Sequence, residues 1–212
     1  MNDISPSGVN PRPPRRSNSA KAKAIVAAAR QCFLEKGYGA TSMDLVAATA
    51  QVSKATVYAH YGSKQELFGA FLTDQCESHA KKLGGIALDD IKTGEQAIEL
   101  LVRHIMKRSL DPASLAVWRI VTEESYRHPE LAQVFYNQGQ KRGRVLMGEK
   151  LEHLAKRGLL KIDNGFEAAD LAIGMVRGDY YNRALFGLPL GPDEDLEHTI
   201  QVVIRALRKL WG

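Results

Sequence analysis

The chain has 212 residues and carries 29 Lys or Arg residues against 24 Asp or Glu residues, a formal net charge of +5. Its two cysteines lack CxxC spacing and its six histidines are scattered, so the sequence indicates neither a disulfide framework nor a metal site. It contains no P-loop, dinucleotide fingerprint, GxSxG motif or convincing catalytic dyad, so we expect no enzyme and no cofactor. Since no signal-peptide core or long apolar run is present, we expect a cytoplasmic protein without a membrane partner.

Positive charge is concentrated at the start of the chain. Residues 1–34 contain six Lys or Arg residues and one acidic residue, which accounts for the whole net charge. Residues 1–18 are rich in Pro, Ser, Gly and Arg, and this composition predicts a disordered basic arm. Before a DNA-binding motif such an arm adds affinity through counterion release or lies in a minor groove; the alternative is a tail without function. The basic residues assigned to it are Arg12, Arg15, Arg16, Lys21 and Lys23.

Residues 41–64 contain two short helical patterns joined by a tight turn. Thr41 is the predicted N-cap of the first helix, and Ser53 is the predicted N-cap of the second. Ser63, with Glu66 at the third helical position, has the pattern of a capping box that opens a longer helix. Three N-caps in so short a segment predict a helix-turn-helix unit with a support helix behind it.

The outer face of the second short helix carries polar and aromatic groups where a buried helix would be apolar, which is typical of a helix that faces DNA. The first residues of such a helix reach base edges, while hydroxyls, cations and helix N-termini hold phosphates. The predicted base-reading residues are Lys54, Ala55 and Thr56. The predicted phosphate contacts are Thr41, Ser42, Ser53, Tyr58, His60 and Lys64. The alternative is an ordinary helical hairpin with a solvated outer face.

The rest of the chain reads as helices throughout. A connector helix ends at Gly84, and the helices predicted after it cover residues 94–108, 112–126, 129–156, 165–186 and 192–211. The predicted fold is therefore all-α, with about nine helices. We expect a disordered arm over residues 1–18, a helix-turn-helix domain over 19–66 and a larger helical domain for effector binding and dimerisation over 67–212.

Residues 24–68 resemble the DNA-binding domain of TetR-family transcriptional regulators. The matching positions are Ile25, Ala28, Ala29, Phe33, Gly37, Tyr38, Ala40, Thr41, Ala47, Ala50, Val52, Ser53, Thr56, Tyr58, Tyr61, Lys64 and Leu67. Residues 116–159 are similar to the C-terminal domains of AefR-like repressors in the same family. The resemblance implies an all-helical homodimer with a variable C-terminal part that usually binds a small effector, and it assigns the base-reading and phosphate-binding residues to the positions given above.

Two residues depart from the family pattern in this segment. Gln51 stands in the turn where the family usually has Gly, which would cost on the order of 1 kcal/mol if the position needs a positive φ. Ala59 stands where the family often has a second aromatic residue, so one phosphate or sugar contact is expected to be missing.

The C-terminal part is expected to supply the dimer interface, because the last two long helices of TetR-like proteins usually form a four-helix bundle with those of the partner. The alternative is that their apolar stripes belong only to the internal core. A single helix-turn-helix reads few base pairs, so DNA recognition independently favours a dimer. The predicted interface residues are Phe166, Ala169, Ile173, Tyr180, Ile200, Val203 and Leu207.

An effector pocket is expected among the middle helices, because aromatic rings and buried charges in an apolar bundle suit a small hydrophobic or amphipathic ligand. The candidates are His104, Arg108, Trp118, Glu123, Tyr126, Phe135, Arg177 and Tyr181. A packing role for Trp118 and a plain ion pair between Glu123 and Arg177 are the alternatives. We therefore expect a dimeric repressor that binds a palindromic operator and is released by an effector; the alternative is a regulator that is constitutive or controlled by a protein partner.

Overall fold

A computed structural model describes residues 20–212, apart from the side chains of Asp193 and Glu194, and the described residues form eleven α-helices, one π-helical turn and no β-strand. The predicted all-α fold is confirmed. Arg12, Arg15 and Arg16 of the predicted arm lie outside the described residues. None of the described helices is long and apolar enough to cross a membrane. The helices are α1 (Ala20–Ala40), α2 (Met43–Thr49), α3 (Lys54–His60), α4 (Lys64–Gly84), α5 (Gly94–Ser109), α6 (Pro112–Glu124), α7 (Pro129–Phe135), α8 (Arg142–Lys156), α9 (Gly165–Val176), α10 (Asp179–Phe186) and α11 (Asp193–Trp211), with the π-helical turn at Tyr136–Lys141 between α7 and α8.

Serine side chains begin helices α2, α3 and α4. The hydroxyl oxygens of Ser42, Ser53 and Ser63 each accept a backbone N–H bond of 3.1 Å from the third residue of the helix that follows. The predictions for Ser53 and Ser63 are confirmed. The predicted N-cap Thr41 is wrong by one residue, because Thr41 is only 2% exposed and its hydroxyl donates to the Gly37 carbonyl oxygen at 2.8 Å.

The turn between α2 and α3 is a helix C-terminus closed by two backbone bonds. The N–H of Val52 bonds to the Ala47 carbonyl oxygen at 3.0 Å and the N–H of Gln51 bonds to that of Ala48 at 3.2 Å, which is the Schellman pattern. Gln51 occupies its left-handed position with φ 54°, the only positive φ of a non-glycine residue between residues 20 and 212. The suspected strain at this position is therefore present, at a cost of about 1 kcal/mol relative to glycine.

A hydrophobic cluster, which we call the N-terminal core, joins α1–α4 to α6 and α7. The fully buried rings of Phe33, Phe68 and Phe71 stand 4.9 to 5.9 Å apart between centroids. Val117 of α6 and Leu131 of α7 belong to the same cluster. The helix-turn-helix unit is therefore packed directly onto the middle of the chain.

A second core lies between α5, α8, α9 and α11. Helices α8 and α9 approach closely at Gly148 and Gly165, where a Cβ on Gly148 would stand 2.8 Å from the Gly165 carbonyl carbon. Between α5 and α11, Arg103 donates two hydrogen bonds of 2.8 Å to the carboxylate of Glu197. This bundle supports the walls of the cavity described below.

Two of the nine predicted helices are divided, which gives the eleven observed. The helix predicted over residues 129–156 contains the π-helical turn, and the helix predicted over 165–186 breaks at Arg177 and Gly178. The helix predicted over 112–126 ends two residues earlier, at Glu124. Periodicity failed to show these interruptions because a single π-helical turn and a two-residue break are shorter than the window over which helical spacing is recognised.

Candidate DNA-binding surface and ligand cavity

Helix α3 lies on the surface and is anchored by one fully buried side chain, that of Val57. Lys54, Ala55 and Tyr58 are exposed, and Thr56 is half-buried at the edge of the same surface. The three residues predicted to read bases therefore lie on a convex, solvent-facing helix that fits the dimensions of a major groove.

Lys54 forms an ion pair with Asp44 of α2. Its Nζ lies 2.8 and 3.0 Å from the two carboxylate oxygens, and this hydrogen bond and charge raise the pKa of Lys54. The side chains are 60% and 63% exposed, and ion pairs in such positions are weak in water. A DNA base or phosphate can therefore replace Asp44 as the partner of Lys54 at little cost.

The exposed hydroxyls of Ser42 and Ser53 lie beside the first turns of α2 and α3. Each oxygen accepts a backbone N–H bond, and Ser53 Oγ also lies 2.8 Å from Thr56 Oγ1. A hydroxyl whose oxygen accepts a bond keeps a proton that it can donate. Both serines are thus placed as they must be if they contact phosphates.

Two residues predicted to contact phosphates face the protein instead. Thr41 is buried, and its hydroxyl is bonded to the end of α1. Lys64 Nζ donates to the Tyr38 carbonyl oxygen at 2.9 Å and lies 4.3 Å from the centre of the Tyr38 ring. The Lys64 bond fastens α4 to the C-terminus of α1, and the Thr41 bond closes the end of α1 itself. Both assignments are therefore corrected to structural roles.

The other predicted DNA contacts are accessible to different degrees. Tyr58 is 45% exposed, with its ring centroid 6.0 Å from Lys54 Nζ. His60 is half-buried at the end of α3, with its ring 6.3 Å from that of Tyr61. Lys21 and Lys23 are exposed in the first turn of α1. Each of these side chains remains within reach of solvent and so of a phosphate backbone.

A bent internal cavity lies between α4, α5, α6, the π-helical turn and the end of α9. It has two adjoining lobes of about 100 Å³ and about 60 Å³. The π-helical turn forms one wall, and a Cβ on its Gly139 would stand 2.9 Å from Cys76 Sγ of α4. Single π-helical turns within α-helices are often found at functional sites. The residues that line both lobes are Cys76, His79, Arg108, Ser109, Gly139, Gln140 and Arg177.

Two arginines line both lobes of this cavity, and neither has a carboxylate hydrogen-bonded to it within residues 20–212. Arg108 donates to Ser114 Oγ at 3.0 Å, and Arg177 donates to Gln140 Oε1 at 3.3 Å. The Nε of Arg177 is buried and has no hydrogen-bond partner. Burial lowers the pKa of both side chains, that of Arg108 to about 10 with a further contribution from the charge of Arg177.

Aromatic rings form the inner end of the cavity. Trp118 of α6 and Phe135 of α7 meet edge to face with centroids 5.1 Å apart. The guanidinium of Arg177 lies 5.0 Å from the Trp118 ring and 5.6 Å from the Tyr181 ring. The cavity therefore combines flat apolar surface with fixed positive charge.

The two histidines and the cysteine of the cavity lining favour their neutral forms. Burial and the charge of Arg108 lower the pKa of His79 to about 4, and the same two causes lower that of His104. Burial raises the pKa of the Cys76 thiol to about 11. Near neutral pH the charge of the cavity lining therefore comes from arginine. Between residues 20 and 212, no group of three or more His, Cys, Asp or Glu side chains could hold a metal ion.

Five of the eight residues predicted for the pocket line the cavity, namely His104, Arg108, Trp118, Phe135 and Arg177. Tyr181 lies next to them, against Arg177. Glu123 and Tyr126 are corrected to surface residues, because both are exposed and Tyr126 is 96% exposed. Sequence reasoning missed Cys76, His79, Gly139 and Gln140. A glycine inside an otherwise helical pattern was the available signal for Gly139.

The residues predicted for the dimer interface fall into two sets. Phe166 is 41% exposed and Ile173 is half-buried. The others pack inside the protomer and are corrected to core residues; they are Ala169, Tyr180, Ile200, Val203 and Leu207. The exposed apolar side chains on α9 and α11 are Phe166, Leu171, Val202 and Leu210, with exposures of 41%, 42%, 44% and 54%.

A helix-turn-helix unit with an exposed second helix, packed onto a helical bundle, is the architecture of a DNA-binding transcriptional regulator. Residues 25–71 match the family model described as bacterial regulatory proteins of the tetR family. Residues 96–208 match the C-terminal domain of AefR-like transcriptional repressors. The chain belongs to the TetR family of transcriptional regulators.

Relatives and solved structures align with nearly the whole chain. The uncharacterized HTH-type transcriptional regulator YvkB of Bacillus subtilis is 26% identical over 194 residues, which cover 87% of this chain and 96% of YvkB. A TetR-family regulator from Mesorhizobium loti superposes with a TM-score of 0.77 at 27% identity, covering 91% of this chain and 96% of that one. The flavonoid-responsive regulator FrrA superposes with a TM-score of 0.69 at 30% identity, covering 91% and 97%.

Proposed function

We propose that this protein is a ligand-responsive repressor that binds a palindromic operator as a homodimer and leaves it when a small molecule fills the cavity. The proposal rests on the observation that the cavity and the N-terminal core share side chains. Leu72 and Val117 line the smaller lobe of the cavity and are also members of the N-terminal core that holds the helix-turn-helix unit. A ligand in the cavity thus touches side chains that also pack against the DNA-binding helices.

Helices α6 and α7 connect the cavity to the N-terminal core, on which the DNA-binding helices are packed. Trp118 and Phe135 face the cavity, whereas Ile120 and Leu131 on the same two helices are buried in the N-terminal core. Because packed cores switch between discrete arrangements, a displacement of α6 or α7 moves α1 and α4 with it. The ligand lowers operator affinity to the extent that it binds the displaced arrangement more tightly.

The DNA contacts in this proposal come mainly from α3 and the serines around it. Lys54, Ala55 and Thr56 read base edges in the major groove. Ser42, Ser53, Tyr58 and His60 contact phosphates, and Lys21, Lys23 and the preceding basic segment add charge. Thr41 and Lys64 are left out, because their polar groups are bonded within the protein.

Dimerisation is assigned to the exposed apolar side chains of α9 and α11. A row of such side chains on two packed helices is the type of surface that a second copy buries. Two copies related by a two-fold axis can place their α3 helices about 34 Å apart, one helical turn of DNA. The regulatory direction is supported by the description of the C-terminal match as a repressor domain, and FrrA is an example of a ligand-responsive protein of the same fold.

DNA binding is tested by fluorescence anisotropy with labelled duplex from the region upstream of the protein's own gene. Lys54→Ala is expected to weaken binding tenfold or more at low salt, because it removes a direct base contact. The matched control is Lys156→Ala, which removes the same charge from an exposed position on α8. Equal losses in the two variants would show that only net charge matters and would contradict the assignment of α3.

The dimer is tested by light scattering coupled to size-exclusion chromatography. Leu171→Glu and Val202→Glu are each expected to produce monomers and to reduce operator affinity sharply, because they bury a charge at the proposed interface. Tyr126→Glu, at an exposed position just beyond α6, is the control. A Leu171→Glu protein that stays dimeric would refute this interface.

A further inference from the structure

The cavity described above contains more positive charge than the acidic side chains around it balance. Burial and the charge of Arg177 lower the pKa of Arg108. Asp111 and Asp170 act in the opposite direction on Arg108 and Arg177, but Asp111 already accepts bonds of 2.9 Å from the backbone N–H and the hydroxyl of Ser114. At the larger lobe, Arg144 is paired with Asp170, but Arg142 is exposed and has no ion pair among the described residues. The field inside and at the entrance therefore favours anions.

We propose that the cavity binds a small organic carboxylate, with its anionic end between Arg108 and Arg177 and a single ring against Trp118 and Phe135. This inference rests on the proposed function, because it names the class of effector for the same cavity. The site is defined by its own geometry, so binding can be tested without DNA.

The ligand is inferred to be anionic because the guanidinium of Arg177 is not fully hydrogen-bonded. The buried Nε of Arg177 has no partner, and the one described acceptor of this guanidinium is an amide oxygen at 3.3 Å. A buried charge without a counterion is costly, and a carboxylate matches the planar fork of a guanidinium with two short bonds. A neutral ligand would leave the charges of Arg108 and Arg177 without a counterion, and a cation would be repelled by them.

The ring follows from the shape and lining of the smaller lobe. Trp118 and Phe135 stand at right angles, and Val117 and Leu72 complete an apolar end with a lobe volume of about 60 Å³. With the adjoining lobe of about 100 Å³, the space suits a one-ring ligand, since an apolar cavity of about 150 Å³ is known to accept benzene. The shared arginines lie in both lobes, so a carboxylate attached directly to the ring reaches them.

The test compares benzoate with its neutral isostere benzamide by calorimetry and thermal shift, at ionic strength held constant with chloride. Benzoate is expected to bind at least tenfold more tightly than benzamide and to raise Tm. Sulfate, which has charge but no ring, is expected to bind more weakly than benzoate. Equal binding of benzoate and benzamide, or no binding of either, would overturn the proposal.

Variants locate the contact. Arg177→Gln is expected to reduce benzoate affinity at least tenfold and to leave benzamide unchanged, whereas Arg177→Lys keeps part of the preference for the anion. Arg127→Gln, which removes the same charge at an exposed position beyond α6, is expected to change neither. If Arg177→Gln does not fold, Arg108→Gln replaces it, and the comparison of benzoate with benzamide on the wild-type protein still tests the proposal. Unchanged selectivity in the folded variants would refute the site.

Failure of this inference can be told apart from failure of the proposed function. Benzoate that binds without altering operator affinity would keep the anion site and overturn its role as an effector site. A neutral compound that releases DNA and binds regardless of Arg177 would keep ligand-responsive repression and overturn the anion class. Binding is measured without DNA, and release is measured by anisotropy on the same preparation.

Discussion

The surface of α3 and the cavity both present positive charge, but they hold it in opposite ways. Lys54 is 60% exposed and has a carboxylate partner at 2.8 Å. Arg108 and Arg177 are largely buried and have no carboxylate partner within the described chain. The exposed charge can exchange one partner for another freely, whereas the buried charges are constrained by the walls around them.

This difference decides what each region can recognise. A weak surface pair is easily replaced by the phosphates and bases of a polyanion, and such binding depends steeply on salt. Buried, under-satisfied arginines interact strongly with one anion that fits and are screened little by salt. A positive side chain on the surface therefore suits DNA, a long polyanion, whereas a positive side chain inside the cavity suits one small anion of matching shape.

The largest expected effect is on stability and comes from the wall of the cavity, where Gly139 of the π-helical turn packs against Cys76 of α4. Gly139→Ala pushes a Cβ to 2.9 Å from Cys76 Sγ across the cavity wall, so it should destabilise the protein by about 1–3 kcal/mol through overpacking. The measurement is urea unfolding followed by circular dichroism. Ligand binding in the cavity should weaken as well, because the π-helical turn must move.

The control for this variant is Gly69→Ala in the interior of α4, where an added Cβ has no neighbour within 4 Å. Replacing a helical glycine by alanine should stabilise the protein by about 0.5–1 kcal/mol. The two substitutions are therefore expected to have opposite signs. Destabilisation of similar size in both would mean that the contact with Cys76 is not what requires glycine at position 139.

Acid should weaken the protein through the cavity before its carboxylates are protonated. His79 has a folded pKa of about 4 against about 6.5 unfolded, so the unfolded chain binds more protons between these values. The free energy of unfolding is unaffected above pH 6.5 and falls as pH drops through this window. His104, whose pKa is also lowered, acts in the same direction.

After a discount for partial exposure, His79 should account for a loss of about 1 kcal/mol between pH 7 and pH 5. Urea unfolding at pH 7, 6 and 5 measures it, with His79→Gln as the comparison. The lowered pKa of Asp111 affects stability only below about pH 5, under the range that is measured. If wild type and His79→Gln lost stability in parallel, the histidine would not be the cause.

Local rules predicted the N-terminal unit well from sequence. Serines at helix starts, apolar spacing and the unusual Gln51 are each decided by interactions within a few residues. The errors there, Thr41 and Lys64, concern polar side chains that fold back onto α1 through contacts with Gly37 and Tyr38. Spacing along the chain cannot show which of two polar partners, protein or DNA, a side chain will choose.

The C-terminal part shows where sequence reasoning stops. Helix α11 has a strong apolar stripe through Ile200, Val203 and Leu207, and this stripe packs inside the protomer. The exposed side chains Val202 and Leu210 form a weaker second stripe, so the strongest periodic signal marked the core and not the outer surface. The cavity depends on a π-helical turn and on packing between distant helices, which no local pattern records.

Relief of the strain at Gln51 should have a smaller and purely structural effect on the DNA-facing side. Gln51→Gly should stabilise the protein by about 0.5–1 kcal/mol, because glycine adopts the φ of 54° without strain. Gln31→Gly, at an exposed position inside α1, is the matched control and should cost about 1 kcal/mol. Operator affinity should stay unchanged in both; a large gain in affinity would show that the turn, not only Lys54, limits DNA binding.

The smallest effect is expected where the surface charge exchanges partners. Asp44→Asn removes the carboxylate bound to Lys54, so operator affinity should rise about twofold to fivefold at low salt and this gain should shrink as salt increases. Asp163→Asn, exposed after α8, makes the same change in net charge far from α3. A larger gain for Asp44→Asn than for Asp163→Asn, measured by anisotropy across a salt series, means that Lys54 must leave Asp44 to contact DNA. Equal gains in operator affinity would mean that the α3 surface binds DNA through its net charge and that Lys54 does not exchange partners. Lys54 would then differ from the arginines of the cavity only in being exposed.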